Sequence, residues 1–276
     1  MSIHTDDMLA RYTPDLAERL LSFVTLAAAQ PDVKAAVEAN HDDNRWWPDY
    51  VSDWRVRMTV AGWSARVSYS MINTYAEVVA RTDAIGWKKL TALSDRSLSH
   101  VVQTLGLVTA RVRYVRSLAD FIDRAPLYDL DLAAADPDEL VASIAAGVRG
   151  AGYNTAQCAV LYARGYHCGI IPVDSGMVHG LAPCLGITLP AGTIAHEKLR
   201  KLLESCAAAH AGSYRDLASR LGYGINIPTG SVPTWFLHLV LIYFKRLYLN
   251  RPDARLCPRR PTCPRLFRCA CQPSQL

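Results

Sequence analysis

The feature that most constrains the fold is a pair of glycines placed between two apolar helical segments. Gly150 and Gly152 are separated by one residue within the segment Val148–Tyr153. Glycine accepts backbone conformations that other residues avoid, so the pair predicts a tight turn between two helices. Such a turn leaves backbone amides at the start of the second helix, where a phosphate group can dock. The sequence therefore predicts a helix-hairpin-helix that holds a phosphate without reading a base.

Apolar residues recur with helical spacing along most of the chain, whereas strand signals are sparse. The pattern predicts an all-α protein in which Pro137 lies in the first turn of the helix before the hairpin. The predicted helices are Leu16–Ala29, Trp54–Val60, Tyr69–Ala80, Trp87–Leu93, Arg96–Thr104, Thr109–Ile122, Pro137–Ala146, Thr155–Arg164, Ser175–Leu181, Ile194–Ala209, Ser213–Leu221 and Pro233–Tyr248.

A single aspartate follows the hairpin after a short linker. Asp174 stands in the run Val-Asp-Ser-Gly-Met, and the run Gln103–Leu118 contains a Leu-Gly-Leu turn followed by a basic helix. Together these features resemble the helix-hairpin-helix (HhH-GPD) DNA glycosylase superfamily, and in particular endonuclease III. That family has a Leu-Pro-Gly-Val-Gly-x-Lys-Thr-Ala hairpin followed by Val-Asp-Thr-His-Val. The similarity spans roughly Trp54 to Gly186.

The resemblance implies a two-lobed helical DNA glycosylase fold. Residues 1–50 would form the N-terminal part of the second lobe, and residues 51–165 a helical bundle that ends in the hairpin. Residues 166–250 would complete the second lobe, and residues 251–276 would form a basic, cysteine-rich tail. Asp174 would be the catalytic carboxylate, which stabilises an oxocarbenium-like sugar and activates water, or it would simply cap the next helix.

One departure from the family falls on a residue that does chemistry. Asn154 stands where bifunctional members carry the lysine that attacks the sugar. An amide nitrogen is not a nucleophile and cannot form a Schiff base. The chain is therefore predicted to be a monofunctional DNA N-glycosylase of base excision repair, without AP-lyase activity. Asn154 would instead hydrogen-bond the sugar, the water or the base.

The resemblance also indicates which residues would contact DNA. The expected hairpin contacts come from Gly150, Gly152, Tyr153 and Thr155. Extrusion of a base requires a side chain that fills the gap in the duplex. The segment Val60–Ser68 matches the family's wedge region loosely, and Trp63 or Ser64 falls near the position of the usual glutamine.

Four cysteines crowd the end of the chain. They are Cys257, Cys263, Cys269 and Cys271. Four thiolates suit either an iron–sulfur cluster or tetrahedral zinc. Endonuclease III relatives hold a [4Fe-4S] cluster at the corresponding end with a different cysteine spacing, so the resemblance places the cluster first, zinc second and a metal-free tail third. No organic cofactor is expected.

The positive charge is concentrated at the C-terminal end. The net charge is +5, and residues 245–276 contain eight Lys or Arg and one Asp, a net of +7, so the remainder sums to −2. A basic end fits contact with double-stranded DNA, although solvated arginines would give the same count.

The sequence also bears on location and assembly. The start of the chain has no secretory signal, and the most apolar run, Trp235–Phe244, is half of the ~20 residues that span a bilayer. We therefore expect a cytoplasmic monomer without a membrane partner, associated with the nucleoid in a bacterium.

Two alternatives remain open at this stage. The first is a catalytically inactive helix-hairpin-helix protein that only binds DNA, which the missing lysine favours and the retained Asp174 opposes. The second is a glycosidase for a specialised modified nucleoside. The sequence does not identify the base that would be released.

Overall fold

The computed structural model describes residues 4–41, 46, 48, 50–124 and 135–249, with side chains from residue 15 onward. Every regular element in this part of the chain is helical, which confirms the predicted all-α class. The chain divides into two compact units. One unit joins Met1–Asp42 to Gly169–Leu276, and the other is the continuous segment Asp43–Cys168.

The described helices follow the predicted order closely. They are α1 His4–Ala28, α2 Pro31–Glu38, α3 Trp54–Trp63, α4 Ile72–Ile85, α5 Trp87–Ala92, α6 Asp95–Val102, α7 Val108–Arg124, α8 Pro137–Gly147, α9 Tyr153–Arg164, α10 Ala182–Cys184, α11 Ile194–Ala209, α12 Ala211–Arg220 and α13 Thr234–Phe244. Short 3₁₀ helices cover Tyr69–Met71 and Gln103–Leu105, and π-helices cover Met177–Leu181 and Lys245–Leu249.

Helix α13 forms the core of the discontinuous unit. All of its residues are buried, because α1, α2 and α11 pack around it. The rings of Phe23 and Phe244 meet edge to face with centroids 4.9 Å apart. A helix that is apolar on every side belongs in the interior of a protein. Among the described helices, none is by itself long and apolar enough for a membrane span. One bent pair, Asp15–Ala28 with Pro31–Glu38, has the necessary length and composition when the two helices are taken together.

Helix α2 was not predicted from the sequence. Pro31 occupies its first position, and the chain bends by 85° between Asp15–Ala28 and Pro31–Glu38. Its buried side chains are Val33 and Val37, which give too short an apolar pattern to recognise. Tertiary contacts stabilise this helix, since Glu38 accepts a hydrogen bond from the Gly224 amide at 3.0 Å.

Helix α3 lies at the centre of the continuous unit, against α7 and α9. The ring of Tyr114 covers Gly62, where an added Cβ would lie 2.1 Å from a ring carbon. Tyr114 also donates a hydrogen bond to the Met58 carbonyl at 2.9 Å, and Tyr75 donates one to the Val60 carbonyl at 2.9 Å. These buried hydroxyls fix the second half of α3, which leads directly into a surface turn.

Candidate functional site

The hairpin forms a tight turn, as the two glycines predict. Helix α8 ends at Gly147, and the Ala151 amide donates to the Val148 carbonyl at 3.0 Å. Gly150 has a φ of 88°, a backbone conformation that would be strained for any residue other than glycine. Gly152 is the N-cap of α9, with extended backbone. The sequence thus places the start of α9 directly after a left-handed turn.

The start of α9 is open to a ligand from outside. Gly152 has no side chain that could occupy the first amides of the helix, and the first turn contains no acidic residue. A Cβ added at Gly150 or Gly152 would meet no atom within 4 Å. Helix N-termini carry a partial positive charge and exposed N–H donors, which favour anions. The geometry suits a phosphate group.

The hairpin is attached to α7. The backbone of Gly147 packs on the ring of Phe121, where a Cβ would lie 2.7 Å from a ring carbon. The Arg149 amide donates to the Ser117 hydroxyl at 2.9 Å. These contacts hold the turn on a rigid element.

The remaining predicted hairpin residues differ in their exposure. Tyr153 and Asn154 are half-buried, and both are placed in the first turn of α9. Thr155 is only 8% exposed. The prediction that Thr155 contacts DNA therefore requires correction for its side chain, because the residue is almost completely buried.

Trp63 is a core residue. Its side chain is 0% exposed, and its indole Nε1 donates to the Arg111 carbonyl at 3.3 Å. A wedge must enter the duplex from the surface, so this position corrects the prediction of Trp63 as the inserting residue. Ser64 is half-buried, and its hydroxyl donates to the Ala61 carbonyl at 2.7 Å.

Two exposed side chains near these positions were missed by the sequence reasoning. Arg66 has a φ of 59° and Leu107 a φ of 47°, and these are the described residues other than glycine with a positive φ. Leu107 is 50% exposed although it is apolar. Such strained, exposed positions often have a function. The Leu-Gly-Leu run around Gly106 was the available signal, because glycine there, with a φ of 68°, permits the left-handed turn.

Asp174 caps the helical segment that follows it. Its Oδ1 accepts a hydrogen bond from the Met177 amide at 2.8 Å. The chain before it is anchored in the core by Ile170, Ile171 and Val173, all with no exposed surface. The Asp174 side chain itself remains 38% exposed. The capping bond therefore fixes the direction of a carboxylate that a substrate can still reach.

Lys245 forms an ion pair with Asp174. Its Nζ donates to Asp174 Oδ2, and the lysine side chain is only 2% exposed. Lys245 begins the π-helix Lys245–Leu249, which packs against the π-helix Met177–Leu181 just after Asp174. π-Helical turns are rare and are frequent at functional sites. Sequence reasoning missed this pair because 71 positions separate the two residues.

The ion pair determines the protonation state of Asp174. Burial alone would raise the pKa of this carboxyl group, but the charge and hydrogen bond of Lys245 and the Met177 amide outweigh it. The net result is a pKa below the ordinary aspartate value. Asp174 is therefore a carboxylate at neutral pH.

His238 is a neutral neighbour of this pair. Burial lowers the pKa of its imidazole to about 3, with Arg246 and Lys245 acting in the same direction. The ring stacks on Trp235 at a centroid distance of 5.5 Å and hydrogen-bonds to the backbone of Pro172. His238 thus supports the segment before Asp174 without adding a charge.

A buried charge network supports the same segment from α11. Glu204 Oε1 accepts a hydrogen bond from the Ile171 amide at 2.8 Å. Arg200, with a fully buried side chain, donates to Glu204 at 2.7 Å and to Glu197 at 2.5 and 2.9 Å. Removing one member of such a network leaves an uncompensated buried charge, which costs several kcal/mol. Asp174 is therefore carried by a rigid loop.

The predicted metal ligands Cys257, Cys263, Cys269 and Cys271 lie outside the described residues. The [4Fe-4S] cluster and the zinc ion accordingly stay predictions. Within the described ranges, no cluster of histidine, cysteine and carboxylate side chains could hold a metal ion. Among the cysteines that the structure describes, Cys184 and Cys206 are buried.

No protein-family model matches the chain, and no curated protein matches it significantly. Among solved structures, the 8-oxoguanine DNA glycosylase of Thermotoga maritima is similar with a TM-score of 0.41 and 18% sequence identity. The match covers 86% of this chain and 93% of that one. A TM-score this low does not establish a common fold.

Proposed function

We propose that this protein is a DNA N-glycosylase that removes a damaged, mismatched or modified base from duplex DNA. The observation that carries the proposal is Asp174, an accessible carboxylate on a rigid loop with a lowered pKa. The hairpin supports it, because the open start of α9 suits a DNA phosphate.

The proposed role of Asp174 is electrostatic. Departure of a base leaves positive charge on the sugar ring, and a fixed carboxylate stabilises that charge. Because Lys245 holds Asp174 in its ionised form, the carboxylate needs no deprotonation before the reaction. The same lysine reduces its basicity, so Asp174 would orient the attacking water and accept its proton only as the bond to the sugar forms.

The reaction is proposed to stop at the abasic site. Asn154 lies in the first turn of α9, where an amide side chain offers no nucleophilic amine. Water would therefore be the nucleophile, with the DNA strand left intact. The substrate would be double-stranded DNA and the protein a monomer.

Arg66 and Leu107 are the proposed wedge, in place of Trp63. An extruded nucleotide leaves a gap that apolar side chains can fill, and leucine is one of the residues that unstack base steps. Leu107 is exposed on a strained turn, and the exposed Arg66 would contact the phosphates or base edges beside it.

The proposal is tested without assuming which base is released. Genomic DNA that has been oxidised, alkylated or deaminated is incubated with the protein, and small molecules are separated by filtration and identified by mass spectrometry. We expect one class of free base above the level of a protein-free control. If no free base accumulates from any of these DNA samples, the proposed glycosylase activity is contradicted.

A second candidate function is favoured by one specific observation. Asp174 has both oxygens engaged, by Lys245 and by the Met177 amide. A carboxylate that already has a protein partner on each oxygen fits a DNA-binding protein that has lost catalysis. Tight binding of lesion-bearing duplexes without base release would select this candidate.

Replacement of Lys245 is expected to shift the pH dependence of base release. In the Lys245→Met variant, burial dominates and the pKa of Asp174 rises, although Arg246 still opposes this. A carboxyl group with a lowered pKa stays ionised until the pH falls through that pKa, so the variant should lose activity at a higher pH than the unaltered protein does. Single-turnover rates between acidic and neutral pH measure the effect. Lys245→Arg, which keeps the charge, is the control, and an unchanged acid limb in Lys245→Met would contradict the proposed coupling.

A further inference from the structure

Arg111 connects the two strained turns. It lies on α7 with 3% exposure. Its Nε donates to the Gly106 carbonyl at 2.9 Å, and its Nη2 donates to the carbonyls of Leu105 at 3.1 Å and Ala65 at 3.2 Å. Its Nη1 donates to the Trp63 carbonyl. One guanidinium group therefore joins the end of α3 to the turn before α7.

The bonds of Arg111 end directly beside the exposed residues. Ala65 precedes Arg66, and Gly106 precedes Leu107. A left-handed backbone is unfavourable at a residue with a side chain. Arg111 bonds to backbone carbonyls on both turns from the interior of the protein. These bonds can maintain the left-handed conformation, because they restrict each turn from relaxing to an unstrained one. The strain is thus stabilised by a group that is itself hidden from solvent.

The charge of Arg111 indicates a role beyond filling space in the core. Among the described residues its partners are all backbone carbonyls, with no carboxylate to neutralise it. Burial lowers the pKa of this guanidinium group, yet arginine remains protonated in proteins. A buried cation without a counter-ion is expensive to maintain. It also leaves a positive charge beneath both turns, which favours a nearby phosphate backbone.

We propose that Arg111 is a positioning residue for base extrusion. It holds Arg66 and Leu107 as one rigid pair of protrusions, so that both side chains enter the duplex together when the target nucleotide leaves it. This inference rests on the proposed glycosylase function. Pre-organisation matters here because extrusion breaks base stacking and pairing, and a mobile wedge would lose conformational freedom when it inserts.

A matched pair of substrates separates positioning from simple stability. One duplex carries the target base paired, and the other carries it in an unpaired bulge, where little work of extrusion remains. We expect Arg111→Met to slow base release about tenfold or more from the paired duplex and to change release from the bulge by much less. Leu107→Ala should show the same selectivity. The rate of base release by Arg111→Lys from the paired duplex should fall between those of the unaltered protein and Arg111→Met, because one ammonium group cannot bond all of these carbonyls.

Arg116 provides the control on the same helix. Its guanidinium donates to the carbonyls of Thr91 at 2.6 Å and Leu93 and to the Asp95 carboxylate at 2.9 Å, so it fixes a turn at another place. Arg116→Met should affect both substrates equally. Fluorescence of 2-aminopurine beside the target nucleotide gives a second readout, and the signal of extrusion should fall in Arg111→Met and not in Arg116→Met.

The outcomes distinguish this inference from the proposal beneath it. If Arg111→Met, or Arg111→Lys where the methionine variant does not fold, slows both substrates equally, Arg111 is structural only. If the unaltered protein releases base but its fluorescence shows no extrusion, the positioning role is also overturned. If the unaltered protein neither extrudes nor releases any base, the proposed function fails and this inference fails with it.

Discussion

Asp174→Asn is expected to abolish base release while DNA binding is retained. Asparagine has almost the same shape and can still accept the hydrogen bond of the Met177 amide, so the loop keeps its conformation. It lacks the negative charge that stabilises the positive sugar. Loss of a single transition-state hydrogen-bond donor slows enzymes by roughly 10²–10³, and loss of a whole charge should have at least this effect. Single-turnover release and duplex affinity are measured in parallel.

This substitution needs a stability control because it leaves the amine of Lys245 buried without its carboxylate. Breaking a buried ion pair from one side costs about 3–5 kcal/mol, and less here because the Asp174 side chain is 38% exposed. The double variant Asp174→Asn with Lys245→Met removes both charges. We expect it to recover the midpoint of thermal unfolding but not the activity. Recovery of base release in the double variant would contradict a direct role for Asp174.

Gly152→Val is expected to weaken DNA binding with only a small loss of stability, since valine is a poorer N-cap than glycine. Gly152 has an ordinary φ of −77°, and a Cβ there meets no protein atom within 4 Å. The new side chain would therefore project from the start of α9 into the space proposed for a phosphate. Loss of that contact should lower affinity about tenfold or more, which corresponds to about 1.4 kcal/mol. The loss should be similar for DNA of any sequence, since phosphate contacts do not read bases.

Gly212→Val is the matched control for this prediction. Gly212 lies in the first turn of α12, and a Cβ there also meets no atom within 4 Å. It is not part of the hairpin, so affinity should be unchanged. Equal affinities of Gly152→Val and the unaltered protein would show that the hairpin does not hold the DNA backbone.

Local patterns made much of the fold predictable. Helix α8 follows from Asp136, which caps it, and from Pro137 in its first turn, and the hairpin follows from Gly150 and Gly152. The capping role of Asp174 is also local, because its partner, Met177, is three residues away. Each of these features depends on residues that are close in sequence, where spacing alone indicates the geometry.

The missed features depend on distant contacts. Trp63 was a candidate for the inserting side chain, but Tyr114 and Arg111 from α7 cover the end of α3. Arg66 carries no sequence signal for a left-handed backbone, since that conformation is maintained by carbonyl contacts from another helix. Lys245 belongs to a basic run in the sequence, where nothing distinguishes it from the other basic residues. Only tertiary packing shows that it is the partner of the Asp174 carboxylate.

The most direct test of the central claim is strand cleavage before and after alkali. Duplexes that carry single lesions or mismatches are incubated with the protein, and each sample is divided between neutral and alkaline treatment. We predict breaks at one class of base only after alkali, because an abasic site forms and the strand stays intact, and the Asp174→Asn variant should give none. Tight binding without any alkali-sensitive site, across the whole set of duplexes, would contradict the account.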